Sequence, residues 1–501
     1  MISFELIAVI ALVILAFGDL VVGVINDAVN FLNSAIGSKV TSQKVIFIVA
    51  SIGIIFGATF SDGIIEVARN GIFHPTAFSV SEVITIFAAV ALADIILLDF
   101  YSTFGLPTST TVSVVFELLG AALIMALWKT GDFTDAWTVI NGDSATKIIV
   151  GIVLSVGIAF MAGLIAQFIT RLLFTFDYKK RLKSFGFLWS GAALTCLVFF
   201  ILIKGGSHAT FMTDSLKEWV ANNTKLILGV SFLGFSAFSW LSIRLNKNIL
   251  KFIVLIGTAS LAMAFAGNDL ANFIGVSVGG VNAYLRADLA GKLPTPTWVV
   301  VIAGLVMSGA LFISKKAQTV TKTTIDLSSH SKEVKGSWGN NIIFVKIVDL
   351  VTFLFELIKK IIPGSILNWM NSRWHRSKAH QDDEKAFDLL RASVNLMVAA
   401  AVISYATSQK LPLSTTYVTF MVAMGSALGD GAWRKDCGPS RIAGVLAVIA
   451  GWFGTALGAF VLAGIAVSIL YFTKSYGLIG LLLVVILSTY KLMHVHKRKT
   501  A

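Results

Sequence analysis

Cysteine and charged residues are scarce in this chain. Of its 501 residues, two are cysteines, Cys196 in an apolar run and Cys437 in a loop, and 13% are charged. Two isolated cysteines give neither a disulfide framework nor the spacing of a metal site. A chain with so few charges, 56% hydrophobic residues and a mean hydropathy of +0.84 is not a soluble domain. We expect an integral membrane protein with many spans.

Two further patterns are missing. The sequence has no run in which apolar and polar residues alternate as in a half-buried strand, so the fold is expected to be all-α. No basic segment precedes the first apolar run, which instead begins around Glu5. We therefore interpret that run as a retained first helix and not as a cleaved signal peptide.

The net charge of +13 does not indicate a nucleic-acid partner. Lys and Arg cluster in short loops between apolar runs, as the positive-inside rule requires of a protein in a lipid bilayer. The basic segments 171–183 and 244–251 are therefore expected to be cytoplasmic, and the acidic segment 129–147 to lie outside. These features predict a multi-pass protein of the plasma membrane.

The apolar runs predict about 12 membrane segments, two of which are re-entrant helical hairpins. The runs long enough to span lie near residues 3–36, 45–65, 80–98, 148–171, 186–204, 226–243, 251–280, 298–314, 388–406, 441–471 and 476–493. The hairpin candidates, 105–128 and 411–429, begin instead with polar residues and a proline.

One polar pattern occurs twice inside apolar runs. Asn26 and Asp27 are followed by Asn30, and in the segment 265–280 Asn268 and Asp269 are followed by Asn272. A carboxylate at membrane depth is costly, so each Asp is a functional candidate. The loop charges make the two runs cross in opposite directions, which predicts an inverted-topology repeat, the architecture of many secondary transporters.

A second element is also doubled. Ser109-Thr110-Thr111 follows Pro107 and precedes Gly120, and Ser414-Thr415-Thr416 follows Pro412 and precedes Gly425 at the same spacings. Ser109 lies 82 positions after Asp27, whereas Ser414 lies 145 after Asp269. The excess of 63 is close to the length of a polar insert near 315–386, and without it the halves superpose.

These spacings predict four units. They are a first repeat with linking helices (1–250), the first part of a second repeat (251–314), a cytoplasmic insert (315–386) and the remainder of the second repeat (387–501). Within the insert, the charged residues of 341–362 fall on one face of a helix, so we predict an amphipathic helix on the membrane surface and not a span.

The residue types at these motifs predict an anion site between two cation sites. Proline favours a helix start, where free N–H groups and Ser or Thr hydroxyls can bind an oxyanion. The alternative is that these hydroxyls only bond within their own helices.

The carboxylates would repel an anion and need cations beside them, for which Asn oxygens are suitable hard ligands. Structural polar residues that join helices are the alternative for the Asn-Asp pairs. Glu82 or Asp94 could join a cation site, or could simply lie at a helix end or face a cavity. Arg391 could counter an anion, but it is expected to pair locally or extend to the interface.

The doubled Asn-Asp-x-x-Asn and Pro-x-Ser-Thr-Thr elements resemble the inorganic phosphate transporter (PiT) family. The resemblance covers both halves without the insert. Asn33, Val112 and Tyr417 depart from it, the last two standing where many members have His. It implies phosphate contacts from the following residues: Asn26, Ser109, Thr110, Thr111, Asn268, Ser414, Thr415 and Thr416. It implies cation contacts from Asp27, Asn30, Asp269 and Asn272, with Na⁺ at Asp27 and Asp269.

The expected function is import of inorganic phosphate by symport with a monovalent cation, without a resident cofactor and without enzymatic activity. Na⁺ is favoured because neither Ser-Thr-Thr element has a neighbouring His, although protonation of the two Asp residues is an alternative. Sulfate is the alternative anion, and a channel or sensor and an intramembrane aspartyl hydrolase are the alternative classes. A homodimer is compatible with the sequence.

Overall fold

The regular structure of the described residues is helical. The structure is a computed structural model and describes residues 3–59, 61, 71–204, 213–286, 295–314, 316–329, 364–374, 385–409, 411, 413–432 and 438–500. The helices are α1 Phe4–Gly37, α2 Gln43–Ala58, α3 Val80–Phe104, α4 Thr110–Thr130, α5 Phe133–Trp137, α6 Gly142–Phe174, α7 Tyr178–Val198, α8 Asp214–Asn222, α9 Thr224–Arg244, α10 Ile249–Arg286, α11 Thr297–Ile313, α12 Lys316–Ser328, α13 Gly364–Arg373, α14 Leu389–Ser408, α15 Thr415–Gly429, α16 Gly438–Thr473 and α17 Ser475–Thr500.

The all-α prediction is confirmed over these residues. Helices occupy the apolar runs wherever those runs are described. Nine described helices are long and apolar enough to cross a membrane, and α11 with α12 would make a tenth candidate. The nine are α1, α3, α4, α6, α9, α10, α14, α16 and α17. The chain is thus a multi-pass membrane protein, while the count of 12 segments, the re-entrant hairpins, the inverted topology and the four units stay predictions.

Helices α3 and α4 form a helix–turn–helix unit, which we call the first helical pair. Ser79 caps α3, because its hydroxyl accepts from the Glu82 N–H at 3.3 Å and its own N–H donates to the Glu82 carboxylate at 2.7 Å. Gly105 ends α3 in a left-handed conformation with φ of 70°, which a residue without Cβ adopts at little cost. The second helical pair consists of α14 and α15.

Each pair is packed tightly against one long helix. A methyl group on Gly120 of α4 would collide with the carbonyl oxygen of Phe460 in α16. A methyl group on Gly425 of α15 would collide in the same way with the carbonyl oxygen of Phe160 in α6. Backbones approach this closely where small residues replace larger ones, as is usual between membrane helices.

A buried ion network joins the start of α14 and the end of α15 to α6. Arg171 of α6, fully buried, donates to the carboxylate of Asp430 after α15 at 2.5 Å and to that of Asp388 before α14 at 3.0 Å. Gln167 also donates to Asp430, at 2.8 Å. One guanidinium therefore joins both ends of the pair to α6, and its several fixed N–H donors bridge two carboxylates better than a Lys ammonium would.

Part of the predicted insert packs on the helical core. Lys316 at the start of α12 donates to the carboxylate of Asp99 in α3 at 2.6 Å, and Thr323 donates to the Gly105 carbonyl oxygen at 2.7 Å. The insert therefore begins with a helix that contacts the turn of the first pair. The amphipathic helix predicted at 341–362 lies outside the described residues.

Candidate functional site

The two Ser-Thr-Thr elements begin α4 and α15, but Pro107 lies two residues before the capping Ser109 and not at the predicted first helical position. The Ser109 hydroxyl accepts from the N–H of Val112 at 3.1 Å, and the Ser414 hydroxyl accepts from the N–H of Tyr417 at 3.0 Å. Both serines are therefore helix caps, and the threonines that follow occupy the first turn. Pro412 lies outside the described residues.

Asp27 joins the two helical pairs. Its carboxylate accepts from the Thr110 hydroxyl of α4 at 2.9 Å and from the Thr416 hydroxyl of α15 at 2.9 Å. One carboxylate of α1 is thus bonded to a threonine from each half of the chain.

Asp269 of α10 makes the reciprocal arrangement. Its carboxylate accepts from the Thr111 hydroxyl of α4 at 3.1 Å and from the Thr415 hydroxyl of α15 at 2.5 Å. The repeat matches Thr110 with Thr415 and Thr111 with Thr416. With this matching, the two threonine contacts of Asp27 become the two threonine contacts of Asp269 when the halves are exchanged. Four threonines and two carboxylates therefore form one cluster, which we call the threonine–aspartate centre.

The asparagines surround this centre and use their NH₂ groups inside it. Asn30 donates to the hydroxyls of Thr415 and Thr416, each at 3.1 Å. Asn272 donates to the Thr111 hydroxyl at 2.9 Å and to the Asp269 carboxylate at 3.0 Å. The side chains named as cation ligands from the sequence thus lie together with the threonines named as phosphate ligands.

Asn26 and Asn268 differ from the other two. Asn26 donates to the Thr108 carbonyl oxygen at 2.8 Å and to the Asp27 carboxylate at 3.0 Å, and Asn268 donates to the Thr407 hydroxyl at 3.2 Å. Both side-chain oxygens are buried and accept no hydrogen bond. A buried amide oxygen without a partner is costly, so each is a candidate ligand for a cation.

The structure adds residues that the sequence argument missed. The Thr419 hydroxyl donates to the Asn30 oxygen at 3.1 Å, and the Trp452 ring N–H donates to the Pro107 carbonyl oxygen at 3.2 Å. Thr455 of α16 and Thr108 share a hydrogen bond of 2.5 Å. Thr419 lies one helical turn after Thr416, so its position could have been inferred from the sequence. Nothing in the sequence relates α16 to Pro107 and Thr108, the residues before α4.

The centre is enclosed. Each of the twelve side chains named from the sequence is at most 7% exposed, and both aspartates are fully buried. Charge interactions are strong at such low dielectric, and the carboxylates of Asp27 and Asp269 act on each other. The arrangement can therefore hold positive charge at the carboxylates and can present hydroxyl donors beside them.

The other acidic and basic candidates make their contacts outside the threonine–aspartate centre. Glu82 pairs with Lys129 at 3.1 Å, away from the centre, whereas Asp94 of α3 accepts from the Ser113 hydroxyl of α4 at 2.7 Å. Arg391 is fully buried and donates to Ser426 at 3.2 Å, which agrees with local pairing and not with extension to the interface. Among the residues that the structure describes, no group of three or more His, Cys, Asp or Glu side chains is arranged to hold a metal ion.

Comparisons with known proteins agree with this organisation. Residues 23–330 match the model of the phosphate transporter family. The chain is 26% identical over 347 residues to a predicted phosphate permease of Thermococcus kodakarensis, covering 62% of this chain and 79% of that protein. It is 27% identical over 357 residues to one of Pyrococcus horikoshii, covering 66% and 83%.

A solved structure shares the fold. The structure titled "The sodium-dependent phosphate transporter" superposes with a TM-score of 0.67 at 15% identity, over 93% of this chain and 99% of that chain. At this identity the similarity concerns the fold alone.

Proposed function

Because this chain belongs to the phosphate transporter family, we propose that it imports inorganic phosphate across the plasma membrane by symport with Na⁺, and that it catalyses no chemical reaction. The observation that carries this function is the threonine–aspartate centre. Two carboxylates and four hydroxyls from both halves of the chain meet there in a buried cluster. A midplane site between two repeats is the usual substrate site of secondary transporters.

The carboxylates are the proposed cation ligands. Phosphate carries one to two negative charges and would be repelled by Asp27 and Asp269 at low dielectric. One Na⁺ at each carboxylate offsets that repulsion, and hard oxygen ligands suit this ion. Asn30 and Asn272 lie on the same helices, one turn beyond Asp27 and Asp269 respectively.

The unpartnered oxygens of Asn26 and Asn268 support a revised division of roles. The family resemblance implied phosphate contacts for both residues, and phosphate needs hydrogen-bond donors. Their NH₂ groups donate to protein acceptors, while their oxygens have no partner. We therefore assign these oxygens to the cations, and the phosphate contacts to the serine and threonine hydroxyls.

The threonines supply a mechanism for coupling. A hydroxyl has one proton, so Thr110 and Thr416 cannot donate to the Asp27 carboxylate and to phosphate through the same proton. A Na⁺ ion at Asp27 satisfies the carboxylate and releases the two hydroxyls. The same exchange at Asp269 releases Thr111 and Thr415. Cation binding thus prepares the donors for phosphate, which predicts that Na⁺ binds first.

Enclosure of the centre favours a carrier over a channel. A channel needs a continuous path, whereas a carrier opens its site to one side at a time. The burial of both aspartates fits an occluded carrier that alternates access by movement of the two repeats.

The test is uptake of labelled phosphate into proteoliposomes at fixed pH, with Na⁺ replaced by choline. We expect uptake to require Na⁺ and to be lost in Asp27→Asn and Asp269→Asn, with Thr258→Val as a control that keeps activity. Thr258 lies on α10 with Asp269 but bonds only to the Val254 carbonyl oxygen. Undiminished uptake in choline that follows a proton gradient would assign coupling to protons, and preferential sulfate uptake would change the anion.

A further inference from the structure

Three buried carboxyl groups lie outside the threonine–aspartate centre. Asp19 on α1, Asp94 on α3 and Glu117 on α4 are 3%, 2% and 0% exposed. They belong to the first half of the chain, and the proposed transport cycle does not use them. Acidic side chains at membrane depth are rare because an uncompensated charge there is costly.

Local geometry places the three residues on neighbouring segments of α1, α3 and α4. Ser113 donates to one oxygen of Asp94 at 2.7 Å, and Glu117 lies one turn beyond Ser113 on the same face of α4. Gly18, next to Asp19, is so close to Ile95 that a Cβ would lie 2.9 Å from its Cδ1 atom. Asp19 is therefore beside the segment of α3 that carries Asp94.

Glu117 is the most informative member. It is fully buried, and neither of its carboxyl oxygens has a hydrogen-bond partner. Asp94, which the neighbouring Ser113 contacts, and Asp19 both act electrostatically on Glu117. One oxygen of Asp19 and one of Asp94 also lack partners. We call Asp19, Asp94 and Glu117 the acidic cluster.

No cation compensates this cluster among the described residues. The charged groups that act on its members are other carboxyls, including Asp27, which acts on Asp94. Asp99 lies further along α3 but is paired with Lys316. Three adjacent carboxylates without a counter-ion cannot all remain ionised in a low-dielectric interior.

The cluster has no counterpart in the second half. With the offsets that match Asp27 to Asp269 and Ser109 to Ser414, its members correspond to Leu261, Ala399 and Val422. Helix packing of the repeat therefore does not require carboxyl groups at these positions. Their presence in one half indicates a role that the second half does not share.

The chemistry of the ligand follows from the arrangement. No three acidic side chains of the described residues are placed to hold one metal ion. A proton needs only one oxygen. We propose that the acidic cluster is a proton-binding site, distinct from the threonine–aspartate centre, whose protonation sets the pH dependence of phosphate transport.

The reaction is a simple one. Each carboxylate takes one proton from bulk water to become a carboxyl group and later returns it to bulk water, with no other bond changed. Asp27 acts electrostatically on Asp94. Because a charge interaction is mutual, the charge of the cluster changes the potential at the proposed cation site. The second part of the inference rests on the proposed phosphate transport, whereas proton binding does not.

The first experiment measures protonation without transport. Infrared spectra of the purified protein in lipid bilayers are recorded against pH, and the C=O band of protonated carboxyl groups is followed. Glu117→Gln and Asp19→Asn should each remove one titrating component of that band. Two variants keep the test decisive if one of them fails to fold.

Asp132→Asn is the matched control. Asp132 is exposed, and a hydrogen bond from the Thr134 side chain lowers the pKa of its carboxyl, so it is ionised at neutral pH. Its loss should leave the band unchanged. A protonated-carboxyl band that is the same in Glu117→Gln, Asp19→Asn and the native chain at every pH would refute proton binding by the cluster.

The second experiment measures phosphate uptake against pH at saturating Na⁺. We expect a flattened pH profile in Glu117→Gln and Asp19→Asn and a native profile in Asp132→Asn. A native profile in both cluster variants, together with a lost infrared component, would refute control of transport by the cluster. Proteoliposomes that take up no phosphate under any condition would refute the proposed function, while the infrared result would still decide proton binding.

Discussion

Removal of the Thr416 hydroxyl tests whether the two halves of the chain act as one site. Thr416 lies in the second half, yet its hydroxyl donates to Asp27 in the first half at 2.9 Å. Valine has nearly the same shape as threonine but no hydrogen-bond donor. We expect Thr416→Val to fold, to reach the membrane and to transport phosphate with much lower efficiency.

The magnitude follows from the lost hydrogen bond. A hydrogen bond to a charged group contributes about 1.5–3 kcal/mol. If Thr416 donates to Asp27 or to phosphate in the rate-determining state, kcat/KM for phosphate falls by about 10- to 150-fold, since each 1.4 kcal/mol is about a factor of ten. Thr110→Val should give a loss of similar size, because Thr110 donates to the same carboxylate over the same distance of 2.9 Å.

The assay is initial-rate uptake of labelled phosphate in proteoliposomes, normalised to the amount of protein inserted. Thr416→Ser keeps the donor and should recover most of the activity. Thr258→Val is the control for loss of a buried threonine hydroxyl, because Thr258 donates only within its own helix. Its kcat/KM should stay within about threefold of the native value.

One pattern of results would refute the reasoning. If Thr110→Val is impaired and Thr416→Val is native, Asp27 depends on its own half alone and the contact between halves has no function. The double variant gives a further check. Both hydroxyls donate to one carboxylate. The free-energy loss calculated from kcat/KM of the double variant should therefore differ from the sum of the losses of the two single variants.

Three other perturbations have defined outcomes. Gly425→Ala places a methyl group against the Phe160 carbonyl oxygen and should destabilise the protein by about 1–3 kcal/mol, seen as a lower unfolding temperature in detergent; Gly157→Ala, which has open space, should not. Arg171→Met removes the guanidinium that bridges two carboxylates and should cost about 3 kcal/mol, seen as less folded protein, with Arg171→Lys intermediate. Unlabelled sulfate should inhibit phosphate uptake about tenfold less well than phosphate, since it keeps no proton to donate to the acceptors of the centre; equal inhibition would contradict this.

Much of the architecture could be predicted from the sequence because it depends on local patterns. Apolar runs predicted the helices, and the Ser-Thr-Thr elements predicted two helix starts, since a capping serine acts on an N–H three residues away. The doubled Asn-Asp elements predicted which side chains would meet. The two aspartates and the four threonines do meet, within hydrogen-bond distance.

Contacts between distant segments could not be predicted in the same way. No sequence pattern indicates that Trp452 of α16 donates to the Pro107 carbonyl oxygen, or that Arg171 joins Asp388 to Asp430. Both depend on how helices far apart in sequence are placed against each other. The contacts of Asp27 and Asp269 with threonines of the opposite half are also contacts between distant segments. Matching motifs indicate that the two aspartates have similar surroundings, but they do not indicate which half supplies each threonine.

That exchange has a consequence for coupling. If each aspartate bonded only threonines of its own half, cation binding in one half could leave the donors of the other half unchanged. Here the loss of one carboxylate's hydrogen bonds releases one hydroxyl from α4 and one from α15. A cation at either aspartate therefore alters both helical pairs together. In the proposed cycle phosphate takes donors from both pairs, and one occupied cation site prepares only half of the donors in each pair. The proposal therefore predicts that phosphate binds after both cations are present.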